Sequence, residues 1–388
     1  MRLAFAQIGH RLIKPGALLL TAIGVAAVAA FCLQTIPQSF DGQRPNDFPN
    51  YYVAGQRLWE ARPIYAPLAN EVYDRLGFVG YPTNVADSPF AVLVLSPLSQ
   101  LPYRTAFLLL YVFSLLAVPA VVFVTARALN VAAWGALAAA SVSLLSNQYR
   151  FLLLFNHMES LLLCLLVGGW LCLRARRDRA GAALWGAAAA LKLFPALLLV
   201  LLAAQRRWRA ALWGTATAAM LLLLGALAMG LPSTVDFVTR VLPYSRTWLG
   251  HDYNVSLMSI GARIGGPALG WTISLFVLVG VLTSAWRAPW NADRLFIAGA
   301  AAMLLLSPLS WIGYGIVLLP VLVIAGQGLK PGDTPARRLL LAALVLTQFW
   351  PFRPGGEPTP LWLFLFYTVP PAAGYALVLL IAGRNRTA

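Results

Sequence analysis

Long apolar runs divide the chain almost from end to end, and no other feature limits its fold so strongly. A helix needs about 20 apolar residues to cross the hydrocarbon core of a bilayer. Candidate spans are 16–36, 104–127, 131–148, 151–173, 210–231, 268–286, 294–309, 312–327, 338–351 and 361–382. The expected fold is an all-α integral membrane protein, a single polytopic domain over 1–388 with about ten transmembrane helices and two short or re-entrant segments. Composition excludes the soluble alternative. Charged residues make up 11% of the chain and the mean hydropathy is +0.74, whereas a soluble domain carries roughly 25% charged residues. The largest stretch suited to water runs from Pro37 to Ser88.

The net charge of +16 does not indicate nucleic acid, because the basic residues sit in short clusters between apolar runs. Those clusters are Arg2/Arg11/Lys14, Arg174/Arg176/Arg177/Arg179, Arg206/Arg207/Arg209, Lys330/Arg337/Arg338 and Arg384/Arg386. This is the positive-inside pattern that orients spans during insertion. With both termini cytoplasmic, that side collects 18 Lys and Arg against three acids, and everything else holds 11 against 10. The outer side then receives two large loops, 37–88 and 232–267, with a short turn at Asn147–Arg150 and the link 351–360. The first apolar run follows a basic start but is too long for the core of a signal peptide, so a retained first helix is expected. Cys32, Cys164 and Cys172 lie inside apolar runs and suggest no disulfide framework.

Two segments do not read as simple crossings. Residues 89–102 are short and broken by Pro89, Pro97 and Pro102, and 181–204 carries arginines on both flanks. A straight crossing would put one arginine cluster outside. A hairpin turning near Lys192 and Pro195 keeps both inside, since proline disfavours continued helix and irregular backbone is tolerated at depth where protein shelters it.

Candidate site residues concentrate on the outer side. In 46–67, Phe48, Tyr51, Tyr52, Gly55, Leu58 and Trp59 recur at three- and four-residue steps, which predicts an amphipathic helix on the membrane surface, with a second over Leu68 to Leu76. Asp47 stands at the start of the first, where it serves as an N-cap or as a general base at a membrane cavity. Asn156, His157 and Glu159 fall near the outer end of 151–173, and Glu159 either pairs between helices or lines a wet cavity. Lys192 is the only lysine in an apolar run, and at a hairpin apex it would meet an anionic phosphate. The second loop offers Arg240, Tyr244, Arg246, His251, Asp252, Asn254 and Arg263. No H-E-x-x-H, C-x-x-C or P-loop pattern is present, so neither a metal nor another cofactor is expected.

Taken in order, these residues resemble glycosyltransferase family 87, the polyprenol-phosphate-mannose-dependent alpha-mannosyltransferases (domain of unknown function 2029) of the C-type superfamily. The resemblance rests on Asp47-Phe48, Tyr51-Tyr52-x-Ala54, Pro63-x-Tyr65, the proline-punctuated 89–102, Lys192 and Pro195 as Lys-x-x-Pro within 180–214, and Asn254-x-Ser256-Leu257. One element departs from it: Asn156-His157-Met158-Glu159 stands where the family usually has Gly-Gln-x-Asn, so the sugar or acceptor differs from the mannosyl norm if that element reads it. The resemblance implies a hexosyltransferase, mannosyl by the family norm, that uses a polyprenyl-phosphate sugar and a lipid or glycan acceptor on the periplasmic face of a bacterial inner membrane. It implies Asp47 as the base and Lys192, Arg246, Arg263 and His251 at the donor phosphate. Tyr51, Tyr52, Asn156, His157, Glu159, Asp252 and Asn254 would meet the sugar or acceptor; Tyr51, Tyr52 and Trp59 alternatively anchor the loop to the membrane. Nucleic acid has no place in this reading. A multi-pass transporter or lipid flippase also fits basic inner clusters, but it leaves the acidic, helical first outer loop unexplained. A structural membrane protein would not need Glu159 and Lys192 in apolar runs.

Overall fold

The computed structural model describes residues 15–41, 47–66, 85–251, 253–330, 332–350 and 360–384. Among them the chain is helical and has no strand; an isolated bridge between Asn254 and Trp311 joins two loops. The principal helices are α1 (Pro15–Phe40), α2 (Phe48–Trp59), α3 (Pro89–Leu95), α4 (Tyr103–Ala128), α5 (Ala133–Leu144) and α6 (Asn147–Phe155). They continue as α7 (Glu159–Arg174), α8 (Asp178–Leu191), α9 (Ala196–Ala204), α10 (Trp208–Asp236), α11 (Leu257–Gly265) and α12 (Pro267–Arg287). The last are α13 (Ala292–Leu306), α14 (Leu318–Gln327), α15 (Thr334–Leu344) and α16 (Val369–Arg384).

Five helical stretches among the described residues are long and apolar enough to cross a membrane: Pro15–Phe40, Tyr103–Ala128, Trp208–Trp248, Pro267–Arg287 and Phe364–Gly383. The protein is a multi-pass membrane protein. Several expected spans are broken instead. The run 151–173 is interrupted at Asn156, whose left-handed backbone (φ 49°, ψ 52°) ends α6 before α7 begins. Asparagine tolerates that conformation better than other residues with a Cβ. Asn147–Arg150, expected as a turn, begins α6, capped by the Ser146 hydroxyl. Within α10, Gly230 (φ 78°) breaks the helix two residues before Pro232.

The chain reverses between α8 and α9. A Cβ on Gly214 of α10 would stand 2.7 Å from the Ala182 carbonyl of α8 and 2.5 Å from Leu199 Cδ2 of α9. A continuous helix would set Ala182 and Leu199 about 26 Å apart, so they flank one point of α10 only because the chain doubles back at Lys192–Pro195. The far ends of both arms meet as well: Arg174, Arg176, Asp178, Arg207 and Asp293 line one cavity of about 450 Å³. Arg174 pairs with Asp293 at 3.3 Å, and Arg207 Nη2 donates to the Trp290 carbonyl at 2.9 Å. The basic segments at 174–179, 205–209 and 287–294 thus collect at one end of the bundle.

The packing of α2 differs from expectation. Phe48, Pro49, Asn50, Tyr51, Tyr52, Val53, Ala54, Gly55 and Arg57 are all buried, which covers every face of the helix and removes it from a membrane surface. Phe48 packs against Tyr103 and Phe107 of α4 at ring-centroid distances of 5.5 and 5.6 Å. Tyr52 Oη donates to the Leu101 carbonyl at 2.7 Å, and Trp59 Nε1 to the Ser96 carbonyl at 2.9 Å. The pattern of aromatic and small residues reflects burial against α3 and α4. The expected second helix, Leu68 to Leu76, lies outside the described residues.

Candidate active site

At the end of α7 opposite Arg174, about 24 Å along that 16-residue helix, four ionisable side chains meet in a chain of alternating charge. His157 Nε2 lies 2.5 Å from Asp47 Oδ2, and His157 Nδ1 lies 3.2 Å from Glu159 Oε2. Glu159 Oε1 accepts from Lys192 Nζ at 2.6 Å, and the same ammonium donates to Tyr314 Oη at 3.0 Å. Side-chain exposure falls from 35% at Asp47 to 8% at His157 and 1% at Glu159. Asp47 is the open end of an otherwise buried series.

Local backbone places each member. Asp47 precedes α2 and makes no side-chain cap hydrogen bond, so its carboxylate is not spent on the helix start. Its N–H instead donates to the Phe155 carbonyl at 2.8 Å, tying it to the last residue of α6. The left-handed Asn156 then turns the chain so that His157 faces Asp47 and Glu159 opens α7. Asn156 is fully buried and its Nδ2 donates to the Phe107 carbonyl at 3.1 Å, which locks that turn onto α4. Ser114 Oγ of α4 and Ser160 Oγ lie 2.8 Å apart and hold the start of α7. Lys192 follows the last residue of α8 in extended backbone (φ −138°, ψ 134°). The Ser88 hydroxyl caps α3 and donates to the carbonyls of Ala190 and Leu191, so the start of α3 is clasped to the end of α8 beside Lys192.

Two members were not singled out from the sequence. Tyr314 lies in the turn Ile312–Val317, with its ring centroid 4.5 Å from Lys192 Nζ and stacked on Phe194 at 5.2 Å. Asp87, half-buried in the turn before α3, interacts electrostatically with Lys192, Asp47, Glu159 and His157. Burial pushes its carboxyl up to about 6, against the pull of Lys192. The only sequence signal for Asp87 was an acid set directly before a serine cap and an apolar run. Tyr51 belongs to the same group, and burial, then Asp87, Glu159 and Asp47, hold its hydroxyl well above the ordinary tyrosine range.

Other expected site residues have different surroundings. Tyr52 points to Leu101 and the aromatic cluster of α4. Asn254 is fully buried: Nδ2 donates to the carbonyls of Trp248 and Pro308 at 3.2 and 2.9 Å, and Oδ1 accepts from the N–H of Ser256 and Ser310 at 3.2 and 3.0 Å. It fastens two loops together rather than facing a cavity. His251 packs edge-on against Trp248 and Trp311, each 5.1 Å away, and its Nδ1 accepts from the Tyr253 N–H. The Arg263 guanidinium lies 4.8 Å from the centroid of the Phe364 ring, and Arg246 is exposed on the turn Ser245–Trp248. Ile312 N donates to the Tyr253 carbonyl at 3.0 Å, which connects this second group to the segment bearing Tyr314. Asp252 lies outside the described residues. No set of three His, Cys, Asp or Glu side chains among the described residues gathers into a metal-binding group.

No curated protein matches the chain. Residues 87–308 match the family profile described as glycosyltransferase family 87, a region that begins at Asp87 and includes His157, Glu159 and Lys192. That match covers more than half of the 388 residues, and the chain belongs to glycosyltransferase family 87.

Proposed function

We propose that this membrane glycosyltransferase moves a hexosyl unit, mannosyl by the family norm, from a polyprenyl-phosphate sugar to a lipid or glycan acceptor. The reaction takes place on the periplasmic face of a bacterial inner membrane, with both termini cytoplasmic and Asp47 as the general base. The observation that carries this reading is the position of Asp47: it is the exposed end of a buried charge series, remote from the basic end of the bundle. A carboxylate so placed takes the proton of an acceptor hydroxyl as that oxygen attacks the anomeric carbon. The bond from that carbon to the phosphate oxygen breaks, and the electron pair leaves with the phosphate.

Cationic donors must meet that departing charge. Lys192 already binds Glu159 and Tyr314, so the proposal gives the phosphate chiefly to Arg246, Arg263 and His251, with Lys192 contributing where phosphate replaces Glu159. Tyr51, beside Asp47 and Asp87, is assigned to the sugar or acceptor. His157 and Glu159, 8% and 1% exposed, support the base from behind rather than touch sugar.

The test is transfer of label from radiolabelled polyprenyl-phosphate-mannose to a mixed glycolipid extract, using the full chain in nanodiscs. Wild type should transfer, and Asp47→Asn should lose roughly a hundredfold or more while keeping the wild-type melting temperature. Equal transfer by both proteins would remove Asp47 as base. Transfer by neither, repeated with polyprenyl-phosphate glucose and pentose donors, would sink the transferase mechanism proposed for this site.

A further inference from the structure

His157 stands between two carboxylates, one at each ring nitrogen: Asp47 Oδ2 at 2.5 Å from Nε2 and Glu159 Oε2 at 3.2 Å from Nδ1. A neutral imidazole has one N–H, so one of the two carboxylates would face an uncharged ring with no proton toward it. A positive ring offsets both carboxylates at these distances, so the two contacts favour the imidazolium. The ring is held edge-on to Phe151 at 6.0 Å and packs against Phe155 at 5.4 Å. Behind it, Glu159 is fixed by Lys192 at 2.6 Å. Charges therefore alternate from the open end inward: Asp47 negative, His157 positive, Glu159 negative, Lys192 positive. Among the described residues, the other titratable groups around this series are the Asp87 carboxyl and the hydroxyls of Tyr51 and Tyr314.

We propose that His157 is the positioning residue of the base Asp47, an imidazolium that fixes one carboxylate oxygen and so orients the carboxylate toward the acceptor. This rests on the assignment of Asp47 as base. In the transfer step the acceptor proton goes to Asp47 and is later given to water, and His157 keeps both of its protons throughout. Glu159 and Lys192 never meet the acceptor. They balance the buried imidazolium, which is costly to bury alone, and hold it in place.

Two measurements test the assignment independently. The chain has three histidines, so imidazole-¹⁵N spectra of the full protein in nanodiscs contain few signals, and His157→Gln identifies the one that matters. His157 should stay doubly protonated at pH 8, where an unperturbed histidine has lost its second proton. A neutral His157 at pH 7 in wild type would overturn the proposal, whatever the variants do. The second measurement is the steady-state kinetics of transfer from the polyprenyl-phosphate sugar that supports wild-type turnover. The kcat of His157→Gln should fall roughly tenfold or more, with the KM for donor within about twofold. A raised KM with unchanged kcat would make His157 a sugar-binding residue instead, and a kcat loss that only follows a loss of folded protein would make it a structural one. Should Asp47→Asn transfer at the wild-type rate, the base assignment falls and this role falls with it, whereas an unchanged kcat in His157→Gln with inactive Asp47→Asn overturns the positioning role alone.

Discussion

Glu159 Oε1 and Lys192 Nζ lie 2.6 Å apart, joining the first residue of α7 to the residue that follows α8. Neither side chain is more than 14% exposed. Removing one partner of such a buried pair strands the other, which typically costs about 3–5 kcal/mol, whereas replacing both by apolar groups is often neutral. Glu159→Gln and Lys192→Met should each lower the melting temperature in detergent sharply. The double variant should recover most of that loss, and additive losses in the double would show that the two charges are not coupled.

The reversal at Lys192–Pro195 depends on close helix contact at Gly214. A side chain there would meet the Ala182 carbonyl and Leu199 together. Gly214→Val should cost roughly 1–3 kcal/mol by overpacking and should lower transfer by displacing Lys192 and its partner Glu159. Stability and transfer both equal to wild type would show that the two arms of the hairpin can separate freely around α10.

Asp87 gives a pH dependence of known sign. Its carboxyl, in the turn before α3, is pushed up to about 6 by burial from an ordinary value of 3.8. The folded state therefore holds a proton that the unfolded chain releases, and the stability this contributes is present at low pH and lost as pH rises through about 6. Asp87→Asn cannot ionise, so its stability relative to wild type should increase between pH 4 and pH 7. Melting temperatures of the two proteins across that range check the sign, and a constant difference would refute it.

Asn254 spends all four of its side-chain contacts on backbone at 248, 256, 308 and 310. Asn254→Ala would take the acceptor from the N–H groups of Ser256 and Ser310, at about 1–3 kcal/mol for such a buried group. Limited proteolysis should then cut the 245–256 segment faster than in wild type. If transfer falls while proteolysis and melting are unchanged, Asn254 contacts substrate and the fastening role is wrong.

Hydropathy is a local property, and the sequence alone carried the membrane character, the helical class and the clustering of basic residues between apolar runs. Single residues also stood out for local reasons: Asp47 before a proline-started helix, Lys192 inside an apolar run, and His157 and Glu159 in another. Their partnership was not legible. Asp47 and Glu159 are more than 100 residues apart in the chain, and they meet through His157 only because Asn156 adopts a left-handed turn that breaks an otherwise continuous apolar run. Lys192 meets Glu159 rather than open space because the chain reverses there and Ser88 clasps the end of α8. Burial of α2 on all faces was hidden for a related reason: a periodicity of aromatic residues reports that a helix has an apolar face, but whether lipid or α3 and α4 cover it is set by distant segments. Tyr314 carried no local mark of importance and Asp87 only that of an acid before a serine cap, and the folding of α3 and of the turn before α14 onto Lys192 gave them a place in the site. The sequence decided which side chains were costly to bury; the tertiary structure decided which opposite charge offset each cost.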